Sequence, residues 1–404
     1  MNTTIKFRLS FMMFLQFFIW GAWFVTMGTY LSKNLSAEGA QIGQAYETQA
    51  IGAILAPFIV GLIADRFFPA QIILGVLHLV GAALMYMAAQ TSDFTGFYPY
   101  ILTYMVLYMP TLALVNSVSF RQMNDPSSQF AHVRLWGTIG WIVAGMLIGY
   151  VLLWESAGLL KNTFYLAAGA SALLGLYSFT LPSTPPQNKG EKTTIRDILG
   201  LEALGLLKDR NYLVFFIASI LICIPLAFYY QNANLFLNDV GMPNAAGNMS
   251  WGQVSEVLFM LALPIFLKRY GIKATLLFGM FAWVLRYTLF AYGDAGSGIW
   301  MLFLGILLHG ICYDFFFVSG QIFTDYKAGE KIQNAAQGLI TLATYGLGML
   351  IGFRLAGFVY DSNALEGGAH AWQNIWLIPA AIAGVVAILY WVAFKNEKID
   401  NVEV

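Results

Sequence analysis

Charge is what this sequence has least of. Of 404 residues only 10% are Asp, Glu, Lys or Arg, while 59% are hydrophobic. A soluble domain carries about 25% charge and about 45–50% apolar residues. That shortage excludes an ordinary soluble domain and points to a polytopic membrane protein. Neither sign prevails: 21 basic and 21 acidic residues cancel, so nothing favours a nucleic-acid partner. Cysteine is nearly absent. Cys223 and Cys312 both fall in apolar stretches without metal-ligand spacing, and they read as small core residues rather than a metal site. The four histidines are scattered, and HExxH, GxSxG and phosphate-cradling glycine loops are missing. These absences argue against an enzyme and imply no cofactor. No soluble segment is long enough to be a sensor domain. A cleavable leader is not expected either, because the first apolar run, residues 7–31, is too long for a signal core and has no small-residue cleavage site.

Long apolar runs are what the sequence does have. A membrane-crossing helix needs about 20 mostly apolar residues. Twelve such spans are expected at roughly 8–31, 42–64, 71–90, 97–120, 131–153, 162–181, 212–236, 250–267, 273–292, 298–323, 334–357 and 371–394. With the N-terminus inside, the even-numbered loops and the tail hold nearly all the loop lysines and arginines, while the odd-numbered loops hold only Lys33 and Lys161. This bias puts both termini in the cytoplasm. The longest polar stretch, 182–211, divides the chain into residues 1–181 and 212–404, six spans each. Within it Thr194 to Lys208 has helical apolar spacing and is expected to lie along the cytoplasmic surface. Two similar halves suggest a pair of bundles with a site between them.

Ionisable groups inside such spans carry the functional signal, because a charge at the centre of a bilayer helix costs about 2.5–3.5 kcal/mol on insertion scales. Asp314, in the run His309-Gly310-Ile311-Cys312-Tyr313-Asp314-Phe315-Phe316-Phe317, is the central case. Burial disfavours the charged form of an acid, which lets it load and unload a proton. The competing expectation is a fixed salt bridge with Arg134, Arg286 or Arg354. In span 5, Arg134, Thr138 and Trp141 are spaced i, i+4, i+7 on one helical face, offering a fork donor, a hydroxyl and a flat ring. Arg134 alone also reads as a membrane-flanking arginine. In span 8, Gln253 and Glu256 share a face at i, i+3, either for function or as an interhelical clasp, and function is favoured for so deep an acid. Glu47 reads equally as part of an outer mouth or as an interfacial acid. Arg286 and Arg354 read as structural, and His309 either relays protons or packs by hydrogen bonding.

Several pieces in order resemble the nucleoside–proton symporters of the major facilitator superfamily. They include Phe14-Leu15-Gln16-Phe17 with Trp20-Gly21, Tyr108-Met109-Pro110-Thr111-Leu112, and Arg134…Trp136-Gly137-Thr138-Ile139-Gly140. Gln253…Ser255-Glu256, Arg269-Tyr270-Gly271-Ile272-Lys273 and Asp314-Phe315-Phe316 with Ser319-Gly320 follow. Gly61…Asp65-Arg66 resembles the superfamily's loop signature, which implies a conformational-switch role for Gly61, Asp65 and Arg66. The resemblance implies an all-α fold of twelve membrane helices in two six-helix bundles. It also implies import of nucleosides with protons by alternating access, in the bacterial inner membrane, by a monomer. It maps the substrate site onto Arg134, Thr138, Gln253, Glu256 and Asp314, with Trp141 and Tyr313 where the family has phenylalanine. Asp314, then Glu256, would carry the proton. Two positions depart from the family: its span-7 glutamine and asparagine stand here as Ala227 and Tyr230. The chemistry agrees with a neutral cargo bearing a flat base and hydroxyls, since aromatic faces stack bases and amides or carboxylates bind ring edges and ribose. A sugar or free nucleobase on the same fold is the alternative cargo, and a non-transporting membrane sensor the alternative class.

Overall fold

A computed structural model describes residues 2–60, 67–186 and 200–397. The residues Gly61, Asp65 and Arg66, and the linker positions 187–199, lie outside that set. Among the described residues there is no strand, only one isolated bridge between Ala364 and His370.

Seven α-helices make up the first part: α1 Thr3–Trp23, α2 Met27–Leu35, α3 Gly39–Ile59, α4 Ala70–Ala89, α5 Phe94–Phe120, α6 Pro126–Met146 and α7 Lys161–Ser178. A short 3-10 helix, Leu201–Lys208, precedes the second part. There follow α8 Arg210–Asp239, α9 Ala245–Tyr292, α10 Ile299–Leu307, α11 His309–Tyr313, α12 Ser319–Thr341, α13 Met349–Ser362 and α14 Trp372–Ala393. Helix starts follow local chemistry. Asn2, Asp93 and Asp209 accept from the Thr4, Gly96 and Tyr212 N–H groups, and Glu38 with Gln41 forms a capping box.

Nine helical stretches among the described residues are long and apolar enough to cross a membrane. Two of the expected spans, 250–267 and 273–292, fall in the single 48-residue α9, which Gly271 divides with φ 76° and ψ 174°. Only glycine takes that backbone conformation without strain. The expected spans at 42–64 and 162–181 are helical as α3 and α7 but are not among the nine. The first carries Gln41, Gln44, Glu47, Thr48 and Gln49, and the second begins with a lysine and an asparagine. The expected surface helix at 194–208 is, in its described part, the 3-10 helix from Leu201.

The chain separates into two compact units, Met1–Ile198 with Asn244–Gly247, and Leu199–Pro243 with Asn248–Val404. In the first, α1 packs on α6 and α7, α4 on α5 and α7, and α3 on α5. In the second, α8 packs on α13 and α14. Large apolar side chains remain exposed on outer faces. On α9, Leu258, Leu261 and Ile265 are 63%, 73% and 66% exposed. Their i, i+3, i+7 spacing makes an apolar stripe, and such a surface is at home in lipid rather than water.

Candidate functional site

Each unit gathers part of the expected constellation. In the first, α6 lies hard against α1 because glycines remove the intervening side chains. A Cβ on Gly140 would stand 2.2 Å from the Phe14 carbonyl oxygen, and one on Gly21 3.1 Å from Trp141. That close approach sets the Arg134 guanidinium 4.1 Å from the centre of the Phe17 ring, a cation–π contact. It also brings Trp141 edge-on to Trp20, with centroids 5.5 Å apart, and Trp20 in turn meets Tyr108 at 5.7 Å. Arg134, Thr138 and Trp141 are each half-buried. Phe17 and Trp20 belong to the span-1 run that carried the resemblance, but nothing in the sequence assigned either a place in the site; their i, i+3 spacing was the available signal.

Beneath this wall lies a buried polar network. Gln16 donates from Nε2 to Thr111 Oγ1 at 2.7 Å, so its Oε1 faces His78 Nε2 at 2.9 Å and requires the proton there. Ser171 Oγ stands 3.0 Å from His78 Nδ1, and Tyr108 donates to the Gln16 carbonyl at 2.6 Å. The sequence reading gave His78 no role, because a lone histidine in an apolar span does not reveal its partners.

In the second unit, Asp314 is fully buried at the first residue of a π-helical turn, Asp314–Val318, that separates α11 from α12. Such turns are rare and recur at functional sites. Neither carboxyl oxygen has a hydrogen-bond partner among the described residues, and no ion pair reaches it. The fixed salt bridge with Arg286 that the sequence allowed is therefore not formed. Arg286 instead points one Nη at His309 Nδ1, 3.0 Å away. Its Cζ stacks 3.6 Å above the centre of the Tyr229 ring. His309 Nε2 faces Glu256 Oε2 at 3.7 Å.

The contact between helices is again made by glycine. A Cβ on Gly310 would lie 2.6 Å from the Ser255 carbonyl oxygen, and the Gly310 N–H donates to Ser255 Oγ at 3.1 Å. This crossing brings His309 to Glu256. Gln253 and Glu256 are half-buried on α9, on a different face from the exposed Leu258–Leu261–Ile265 stripe.

Tyr313 is half-buried. Its hydroxyl shares a 2.6 Å hydrogen bond with Tyr345, and it borders a small hollow with Phe316, Phe317, Gln321, Thr344 and Tyr345. Tyr230, one of the two positions that depart from the family pattern, is half-buried on α8 with its ring centre 6.0 Å from that of Tyr229. Ala227 is fully buried against Gly352 of α13. Gln231 is buried too, its amide turned to donate to the Phe353 carbonyl at 3.1 Å and accept from the Gly357 N–H at 3.2 Å. Glu47 is buried and Arg354 is exposed. Both cysteines are buried and free. No group of three or more His, Cys, Asp or Glu residues poised for a metal occurs among the described residues.

A many-span helical chain that buries an acid with no partner beside half-buried polar and aromatic groups is built like a secondary transporter. The chain belongs to the nucleoside H+ symporter family, whose profile matches residues 1–399; that is a family of transporters, not enzymes. It is 47% identical to a protein of Escherichia coli strain K12 named "Putative nucleoside transporter YegT", across 99% of this chain and 95% of that one. It is 36% identical to the xanthosine permease of the same organism, across 97% and 96%. Its fold superposes on the crystal structure of the nucleoside transporter NupG with a TM-score of 0.87 at 34% identity, covering 98% of this chain and all of that one.

Proposed function

We propose that the chain imports a nucleoside together with a proton, by alternating access, across a bacterial inner membrane. In this reading it is a monomer of twelve spans in two six-helix bundles, residues 1–181 and 212–404. The cytoplasmic linker 182–211 joins them, and both termini are cytoplasmic. Gly61, Asp65 and Arg66 form the switch loop.

The observation that carries the proposal is Asp314, a fully buried carboxyl group without a hydrogen-bond partner in a chain of a symporter family. Such a group is most stable neutral, because desolvation penalises its charge. A cargo that is itself neutral leaves the proton as the only charge moved. Trp141 and Tyr313 offer flat faces for the base or sugar, and a base stacked on an aromatic gains about 1–3 kcal/mol. Arg134, Thr138, Gln253 and Glu256 offer donors and acceptors for ring edges and hydroxyls. A proton on Asp314, or second on Glu256, raises nucleoside affinity, and linkage requires the nucleoside to raise proton affinity by the same factor.

Uptake of uridine and adenosine into inverted or right-side-out vesicles, with and without an inward proton gradient, tests this. Accumulation above the outside concentration only with the gradient is expected. Accumulation indifferent to the gradient would refute proton coupling. Competition by ribose or uracil as strong as by uridine would refute the choice of cargo.

A further inference from the structure

Arg286 is fully buried, and among the described residues none of the ion pairs includes it. Its Nε and one Nη have no hydrogen-bond partner, and its other nitrogen meets His309. An arginine cannot give up its proton in a protein, so this is a permanent positive charge deep in a span. Aromatic faces account for part of its stabilisation: Tyr229 at 3.6 Å, Trp283 at 5.6 Å and Phe290 at 5.7 Å. An isolated buried ion remains costly unless an anion compensates it.

The available anion is reached through the imidazole. Guanidinium nitrogens only donate, so His309 Nδ1 must accept, and the neutral ring then carries its hydrogen on Nε2. That N–H faces Glu256 Oε2 at 3.7 Å. The other titratable groups around the chain are neutral hydroxyls and a thiol at ordinary pH: Tyr229, Tyr230 and Tyr287, with Cys312 and Tyr313 on α11. Asp314 is the remaining acid, on the turn that follows α11.

We infer that Arg286 and His309 are a positioning dyad for symport: they hold Glu256 as the standing carboxylate of the second unit, and so leave Asp314 as the single acid that exchanges a proton. The inference rests on the symport reading above and divides a labour which that reading left shared between two acids. Arg286 neutralises Glu256 through the His309 ring. Glu256 then keeps its charge whether or not the nucleoside is bound, so its own titration links no proton to binding.

The number of protons linked to nucleoside binding tests the dyad. With only Asp314 exchanging, uridine affinity in proteoliposomes falls at most about tenfold per pH unit as pH rises. Arg286→Met removes the cation, Glu256 begins to titrate, and the limit becomes about a hundredfold per unit. His309→Asn, which can accept from Arg286 but cannot carry an N–H to Glu256, moves the profile the same way. Arg286→Lys keeps the wild-type slope. Adding Glu256→Gln to Arg286→Met returns the slope to one proton. A wild-type slope in Arg286→Met would overturn the dyad while leaving nucleoside transport intact; absence of wild-type uridine uptake would instead overturn the function. If Arg286→Met fails to fold, the double variant with both charges removed is expected to recover folded protein in detergent. No recovery would equally overturn the charge coupling.

Discussion

Two buried histidines, one in each unit, have the same tautomer and opposite surroundings. His78 presents Nε2–H to a neutral amide and Nδ1 to a serine hydroxyl, within a network where Gln16, Thr111, Ser171 and Tyr108 all find partners. His309 presents Nε2–H toward a carboxylate and Nδ1 to a guanidinium, one turn from an acid whose oxygens find none. A closed neutral network stabilises one packing and has nothing to exchange. An open charged one carries an energetic burden that packing alone does not explain. Burial of polar groups by itself therefore does not distinguish the two networks; incomplete satisfaction does.

Four perturbations sharpen or break that contrast. Glu256→Ala removes the carboxylate that faces His309 Nε2 and leaves the Arg286 charge without an anion at the end of the chain. A marked fall in the melting temperature of purified protein is expected, and an unchanged one would dissolve the charged chain. Gln16→Leu strands His78 Nε2, at about 1–3 kcal/mol for a buried group left unsatisfied, while Thr111 keeps its hydrogen bond to the Tyr108 carbonyl. Here stability should drop while the pH slope of uridine affinity stays as in wild type; a changed slope would make the first unit a proton path as well. Tyr313→Phe loses the hydrogen bond to Tyr345 but keeps the ring, so about 0.5–1.5 kcal/mol is expected in stability, with nucleoside affinity within a few-fold.

The smallest effect belongs to the cluster of Lys327 with Asp209 and Glu397. It ties the C-terminal segment to the start of α8. Lys327→Ala should cost about 0.2–1 kcal/mol, less at high salt. Burial alone would push the Asp209 carboxyl up, but the Tyr212 N–H and Lys327 outweigh it and hold Asp209 below the usual carboxylate range. Because the folded-state value is depressed, this contribution is complete above about pH 4 and disappears on further acidification. Melting curves of the Lys327→Ala variant and wild type should converge in acid.

Much of this was legible in the sequence, and the reasons are physical. Helical spans declare themselves by length and hydropathy, and Asp314 by the cost of an acid inside one. The i, i+4, i+7 face of Arg134, Thr138 and Trp141 was readable because helical periodicity is local. What joins residues far apart in the chain was not. Arg286 and His309 are separated by 23 positions, and Gly310 in turn brings the His309 helix against Ser255 and Glu256. His78 and Ser171 meet across 93. The interruption between the expected spans 250–267 and 273–292 was legible, and Gly271, with its non-helical backbone, stands in it.

The claim that Asp314 is the proton site stands or falls on one comparison, made with Asp314→Asn in proteoliposomes. Gradient-driven accumulation of uridine and gradient-free exchange of labelled for unlabelled uridine would be measured on the same preparation. Exchange that continues while accumulation disappears is the expected result, since the amide mimics the protonated acid but cannot release a proton. Accumulation at the wild-type level would contradict it.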